Sequence, residues 1–496
     1  MGTFITFPEL LIWLPLLAGI ACFFFKDKAA KSWAIAASLV VLAVSVASLF
    51  YTAPEYASYN KVNYYWMKQI GNSFFVGLDS TGRLLTLLTA IAFPVILIAT
   101  QKNNYKNAAA FYGLMLLAQS GLMGVFVSLD ALLFYFFWEL ALIPVYFLCS
   151  RWGGEKRIQA TFKFFVYTFA GSLLMLIGIL YVYMHTSART FEDGSVSLHS
   201  FALQSFMNTT LTASDQNWVF WLFFVAFAIK MPVFPFHTWQ PDTYDQSPTS
   251  VTMVLSGIMV KMGLFGVIRW LIPITPNAAY HFADVVIILC IIGILYASCL
   301  AMVQDNIKKL IAYSSIAHIG LMCAALFTFD ELGVQGAMIQ MFSHGINIIG
   351  MWIVVDILER QTGVKNISQL GGVAQKAPVL TIFLVIIALA NIALPLTNAF
   401  VGEFMMFGGL FKTNSWYAVA AGISIILAAV YTLRMIQRVF YGEVVSETAS
   451  VKDISITEKS ALFGLVVFIF IFGVMPQPMI DFTKEALKTI LAVGIQ

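Results

Sequence analysis

Residues 285–303 read VVIILCIIGILYASCLAMV, a run without a single charge. Coiled as an α-helix it would be roughly 28 Å long, close to the roughly 30 Å hydrocarbon core of a bilayer. Residues 164–184 and 415–433 are equally free of charge. The chain as a whole has 496 residues, 60% of them hydrophobic and 11% charged, where soluble domains carry about 25% charged residues. A water-soluble fold cannot hide that much apolar surface, so the fold expected is an all-α polytopic membrane protein. The first apolar stretch, near residues 4–25, has no basic leader and no small-residue cleavage site, and is expected to stay as a helix.

Apolar runs set against polar breaks give about fourteen spans. They are centred near residues 14, 41, 90, 118, 141, 172, 230, 260, 290, 318, 344, 395, 427 and 468. Basic residues test this count, because cytoplasmic loops collect lysine and arginine. With the N-terminus outside, the odd-numbered loops and the helix start beside them hold eighteen of the 28 basic residues, and the opposite loops hold eight. A missed span would invert every later loop and mix the two groups. Two lysines stay unplaced, Lys230 and Lys261. The chain is therefore expected to cross its membrane many times, with the N-terminus outside.

The remaining composition excludes other classes. The five cysteines, Cys22, Cys149, Cys290, Cys299 and Cys323, lie in apolar runs without CxxC spacing and read as small hydrophobes. The net charge of +3 offers nothing to nucleic acid. No GxGxxG, P-loop, HExxH or paired-carboxylate spacing occurs, so no cofactor or metal site is expected in this chain. The loop at residues 185–216 is the longest polar one, and residues 480–496 read as a C-terminal interfacial helix. Nothing divides residues 1–496 into more than one membrane domain.

Two spans are broken. Ile229-Lys230-Met231-Pro232-Val233-Phe234-Pro235 and Ala393-Leu394-Pro395-Leu396-Thr397-Asn398-Ala399 each interrupt an apolar run with proline. Proline removes a helix hydrogen bond, and the freed backbone is tolerated at membrane depth only where it lines a polar cavity. Interrupted helices at matching positions of two halves point to a transporter-type ion site. Each break would be the fourth helix of a five-helix unit, one covering about 108–271 and the other about 278–440.

Charged and titratable residues inside the spans carry the chemistry. Glu139 lies in Phe136-Phe137-Trp138-Glu139-Leu140, where an isolated charge costs about 2.5–3.5 kcal/mol on insertion scales. Lys230, Lys261 and Glu403 are buried in the same sense, so two acids and two bases can offset one another, with Glu139 and Lys230 as the first expected pair. Burial penalises an ammonium and a nearby carboxylate favours it, so movement of the partner can load or release a proton. A static ion pair that only fixes helix packing is the alternative. Lys230 sits beside the Pro232 break and can hydrate, whereas small residues flank Lys261 in Ser256-Gly257-Ile258-Met259-Val260-Lys261-Met262-Gly263 and leave room for water. His318 and His344, mid-span, can donate and accept near neutral pH and suit a relay, or else stabilise helix contacts. His237, His281, His185 and His199 lie nearer ends or loops.

These stretches resemble the antiporter-like membrane subunits of respiratory complex I, the proton-pumping NADH:quinone oxidoreductase, and of related cation/proton antiporters. The likeness covers roughly residues 75–440 and rests on Trp138-Glu139-Leu140, Lys230-Met231-Pro232, Pro235-Phe236-His237-Thr238-Trp239, Leu255-Ser256-Gly257 through Lys261-Met262-Gly263, Ile311-Ala312-Tyr313-Ser314-Ser315, and Gly402-Glu403-Phe404. It implies two inverted five-helix repeats and a mid-membrane proton path on which Glu139, Lys230, Lys261 and Glu403 take the matching positions, with helix breaks at Pro232 and Pro395. His318 and His344, by their own chemistry, are expected to extend that path. It also implies that flavin mononucleotide, iron-sulfur clusters and quinone sit in partner subunits, and that the partners are other membrane subunits, homologous antiporter-like ones among them. At position 403 most such subunits carry lysine, so Glu403 singles out one subunit type. Two departures stand out: Leu396-Thr397-Asn398-Ala399 replaces a glycine-containing turn, and Tyr244 stands where a histidine is expected. Rival expectations are a subunit of a stand-alone antiporter or membrane-bound hydrogenase, and a structural membrane scaffold whose charges only order helices.

Overall fold

The computed structural model describes residues 5–190 and 196–493. Among them, eleven helices are long and apolar enough to cross a membrane. The shorter Phe7–Cys22 and two broken spans, Ala213–Lys230 with Trp239–Gln246 and Pro378–Asn391 with Asn398–Thr413, complete the fourteen crossings expected. Local signals fix several helix starts: Asp130 accepts from Leu132 and Leu133 N–H, Asp330 from Leu332 and Gly333, and Asn306 from Lys308 and Lys309. Each side chain satisfies amides that the first turn leaves without partners.

In Thr249–Ile274 and Glu331–Thr362 the membrane-crossing stretch is buried throughout, so these two form the centre, whereas Asp27–Ser48 is mostly uncovered. Lipid accepts apolar side chains on any face, so position follows from polarity: the two central helices carry Lys261, His344, Asn347 and Asp356, which lipid would not tolerate. Thr249–Ile274 is not a uniform α-helix. It contains two π-turn segments, Leu255–Met259 and Val267–Leu271, on either side of Lys261.

Loops that the charge pattern assigns to one side touch one another. Gly154 N–H donates to Gln246 O at 2.7 Å, Ile307 N–H to Lys365 O at 3.0 Å, and Gln361 Nε2 to Lys452 O at 2.9 Å. On the other side Ala131 N–H donates to Phe201 O at 2.8 Å and Lys412 pairs with Asp330 at 3.1 Å. That side also holds a feature the sequence did not suggest, a hairpin of Lys61–Met67 and Asn72–Gly77. Asp130 ties it to the bundle, accepting from Asn72 Nδ2 at 2.8 Å and Ser73 N–H at 3.1 Å. The long loop contains a second short strand pair, Arg189–Thr190 with Val196–Ser197, and the helix Leu203–Met207.

The C-terminal helix runs Gln477–Val493, beginning three residues before the expected 480–496, whose last three residues lie outside the described ones. It is held by Gln335, whose Nε2 donates to Ile480 O at 2.9 Å and to Thr483 Oγ1 at 3.1 Å.

At the second break Ala393 (φ 56°) and Leu396 (φ 73°) occupy the left-handed region without being glycine, a conformation that costs about 1–2 kcal/mol for an L-residue. The Leu396 departure from a glycine turn is thus accommodated in place. It is held by the helix Ile456–Val474, where a Cβ at Gly473 would meet Leu396 O at 2.2 Å. Gly473→Ala is therefore expected to destabilise the fold by about 1–3 kcal/mol through overpacking against backbone that cannot yield, read as a lower unfolding midpoint in mild detergent titrated with SDS.

Candidate functional site: a polar axis in the bundle centre

The first break ends the helix Ala213–Lys230 at Lys230, and the chain re-enters helix at Trp239. Trp239 Nε1 donates to Ile229 O at 2.9 Å, satisfying a carbonyl that the break sets free. The Thr249–Ile274 helix comes close here because of Gly263, where a Cβ would lie 2.6 Å from Phe227 O and 2.9 Å from Met231 N. Lys230 is 2% exposed and its ammonium lies 5.4 Å from the Trp138 ring centre and 5.9 Å from that of Phe164, positions suited to a cation–π contact.

The expected Glu139–Lys230 ion pair is not formed. Among the described residues Lys230 Nζ and Glu139 Oε1 have no hydrogen-bond partner, although Glu139 is near enough to act on Lys230 electrostatically. The physical reason is the register of helix Ala131–Trp152. Trp138 faces the bundle interior, and Glu139, one residue or 100° further round, is only half buried.

The other four expected residues do come together. Lys261 Nζ lies 2.8 Å from His344 Nδ1 and donates to Ser256 O at 2.8 Å. The π turn supplies that geometry: Val260 N–H reaches five residues back to Leu255 O, shifting the backbone ladder just ahead of the lysine. Gly257 and Gly345 bring the two central helices together, a Cβ on Gly345 falling 3.1 Å from Gly257 O. His344 Nε2 is 3.4 Å from Ser315 Oγ, its ring lies 5.6 Å from that of His318, and His318 Nδ1 is 3.1 Å from Glu403 Oε1. Gln340 Nε2 also donates to Glu403 at 3.2 Å. Lys261, His344, His318 and Glu403 are all under a tenth exposed. Four side chains from four helices thus make one row, from the central helix Thr249–Ile274 to the second break.

Around His318 and Glu403 a cavity of about 20 Å³ is lined by Ser298, Ser424 and Tyr431, among others, enough for a water molecule. Tyr431 Oη donates to Ser314 at 2.9 Å. Asn398 clamps the second break to the central helix, Ser343 Oγ donating to Asn398 O at 3.2 Å.

Several polar groups escaped the sequence reading. Lys230 and Lys261 are not the only basic residues withdrawn from water: Arg83, Arg269 and Lys308 are also buried. Arg269 pairs with Asp79, Lys308 with Glu359 at 3.1 Å, and Arg83 donates to Ser48 O. These three lie near helix ends, where loop counting assigned them to water. On the basic-residue side Lys163, Asp242, Asp245, Lys309, Glu359 and Lys365 line a vestibule of about 730 Å³. His237, set aside as peripheral, is buried with its ring 5.7 Å from Phe234. Tyr244, in place of the expected histidine, is fully buried edge-on to Trp352 at 5.8 Å.

This architecture has counterparts. The sequence model of the family described as NADH:quinone oxidoreductase/Mrp antiporter, TM, matches residues 128–428. A Rickettsia prowazekii protein named NADH-quinone oxidoreductase subunit M is 36% identical over 492 residues, 97% of each chain. An Escherichia coli protein of the same name is 34% identical over 433 residues, 86% of this chain and 84% of that one. Among solved structures, a chain of respiratory complex I from Thermus thermophilus with bound NADH superposes with a TM-score of 0.89 at 27% identity, covering 98% of this chain and 99% of that one.

Proposed function

Since the chain belongs to the NADH:quinone oxidoreductase/Mrp antiporter membrane family, we propose that it is the M-type subunit of a bacterial NADH:quinone oxidoreductase and carries protons along the buried row. The observation that bears most weight is the row Lys261–His344–His318–Glu403, whose two outer pairs lie at 2.8 and 3.1 Å and whose two imidazole rings lie 5.6 Å apart, a gap that water can bridge. Each link joins groups that can both hold and pass a proton, as a relay requires. Glu139 and Lys230 form a second charged centre beside the first break, where Glu139 biases Lys230 through space.

The chain's share is translocation: flavin, iron-sulfur clusters and quinone are assigned to neighbouring subunits, and coupling reaches this chain mechanically and electrostatically. The flank beside Glu139 supports such neighbours. Phe136 and Ile143 of the same helix are exposed, and a partly buried carboxylate at that depth without a hydrogen-bond partner among the described residues is costly unless another subunit or water serves it. The address proposed is the bacterial inner membrane with the N-terminus outside, which puts the lysine-rich loops in the cytoplasm.

The test uses the assembled complex in lipid vesicles, with proton movement followed by a pH-sensitive dye while NADH oxidation is measured separately. Glu403→Gln keeps a hydrogen-bonding group beside His318 but removes its charge, and is expected to lower proton movement several-fold with assembly unchanged. Full pumping by both Glu403→Gln and Lys230→Ala would overturn the proposal.

A further inference from the structure

Proton supply to the row needs a way in from the basic-residue side, and the charges at the wide vestibule are largely matched. Lys163 pairs with Asp242 at 2.9 Å, Lys309 with Asp242 at 3.6 Å, and Lys365 with Asp245 and Glu359 at 3.5 Å each. One carboxylate on this side is different. Asp356, on the same central helix as His344, is 6% exposed and enters none of the ion pairs among the described residues, although Glu359, Arg360 and Lys308 lie around it. Those neighbours are engaged elsewhere, Lys308 with Glu359 and Arg360 with Glu458, and Glu458 also holds Lys102 at 3.2 Å.

Asp356 is held instead by a neutral amide, Asn103 Nδ2, at 3.0 and 3.3 Å. The same amide is 3.2 Å from Tyr105 Oη, which is 2.8 Å from Ser250 Oγ. Asp356, Asn103 and Tyr105 border a polar cavity of about 460 Å³. Ser250, fully buried, begins the helix that carries Lys261 eleven residues on, roughly 16 Å deeper at 1.5 Å per residue. At depths between Asp356 and His344 the central helix carries two further buried polar groups, Trp352 Nε1 and the Asn347 amide, neither with a hydrogen-bond partner among the described residues. A buried polar group without a protein partner is normally served by water.

We propose that Asp356 is the proton-uptake group for Lys261, handing protons through water of the shared cavity to Tyr105 and Ser250 and then along water beside Trp352 and Asn347. The Asn103 amide holds the carboxylate and the phenol in place without carrying the proton. The inference rests on the proton-carrying function proposed above. An uptake carboxylate must be reachable from water, yet not locked to a cation, and Asp356 satisfies both conditions. In the transfer the carboxylate takes a proton from the cavity and releases one inward, so charge and atoms balance at each turnover.

The experiment compares Asp356→Asn, Asp356→Glu, Tyr105→Phe and Lys261→Met in the intact complex in vesicles, at several pH values on the basic-residue side. Asp356→Asn is expected to pump several-fold more slowly, with a loss that deepens as pH rises and protons become scarce. Asp356→Glu should recover most of the rate, and Tyr105→Phe should fall between. Wild-type pumping by Asp356→Asn at every pH, alongside a silent Lys261→Met, would overturn the uptake route and leave the function standing. A loss that is the same at every pH, or that Asp356→Glu does not relieve, would mark Asp356 as structural and overturn the route as well. Normal pumping by Lys261→Met would bring down the proton-carrying function first, and this route with it.

Discussion

Lys261→Met is expected to suppress proton movement by the assembled complex by about a hundredfold or more, the lower end of what one positioned proton-transfer group contributes. Lys261 sits where the two halves of the row meet. Its ammonium is bonded on one side to Ser256 O and on the other to His344 Nδ1, both at 2.8 Å. Methionine fills nearly the same volume, so packing around Gly257 and Gly263 is preserved and the chain is expected to assemble. What disappears is the one group that can hold a proton at that point. Reconstituted vesicles with matched complex content would show NADH oxidation without the corresponding acidification. A variant pumping at even a third of the normal rate would mean that Lys261 is dispensable to the path.

His344→Leu is expected to be nearly as severe, with a stability cost as well. When Lys261 carries its proton and donates to Nδ1, the imidazole must be neutral with its proton on Nε2, facing Ser315 at 3.4 Å. Passing the charge onward first gives a neutral amine beside an imidazolium, and loss of its Nε2 proton on the Ser315 side then leaves the imidazole neutral with its proton on Nδ1. Among the described residues His344 is the side chain that bridges Lys261 and His318, its ring 5.6 Å from that of His318. Leucine would break the relay and strip a buried ammonium of one partner, which costs about 1–3 kcal/mol. His344→Gln separates the two effects. Its amide can still accept from Lys261 but cannot exchange a proton, so stability is expected to return while pumping stays suppressed. Pumping restored by glutamine would reduce His344 to a packing residue.

Much of this was legible in the chain itself. Fourteen crossings, both breaks and the identities of Lys261, His318, His344 and Glu403 followed from apolar runs, prolines and titratable residues where only lipid or protein interior could surround them. The hydrophobic effect acts on whole segments, and charge inside such a segment is conspicuous without knowing its neighbours. Pairings were less legible. Glu139 and Lys230 were natural partners by charge, yet a single step in helix register places Trp138 toward the ammonium and turns Glu139 to the flank.

Buried charges near helix ends were harder still, because depth in a bundle is set by which neighbours cover a loop. Arg269, Lys308 and Asp356 look solvated by position and become interior only when distant segments close over them: Asp79 for Arg269, Glu359 for Lys308, and Asn103 for Asp356. The order of the row was likewise decided in three dimensions, by glycines at 257, 263 and 345 that let helices approach and by π turns that re-aim Lys261. Sequence alone therefore determined how many helices there are, that they lie in lipid, and which residues are too costly there to be incidental. Only the tertiary structure decided which of those residues meet, since contact depends on rotation and close approach between segments that are distant in the chain.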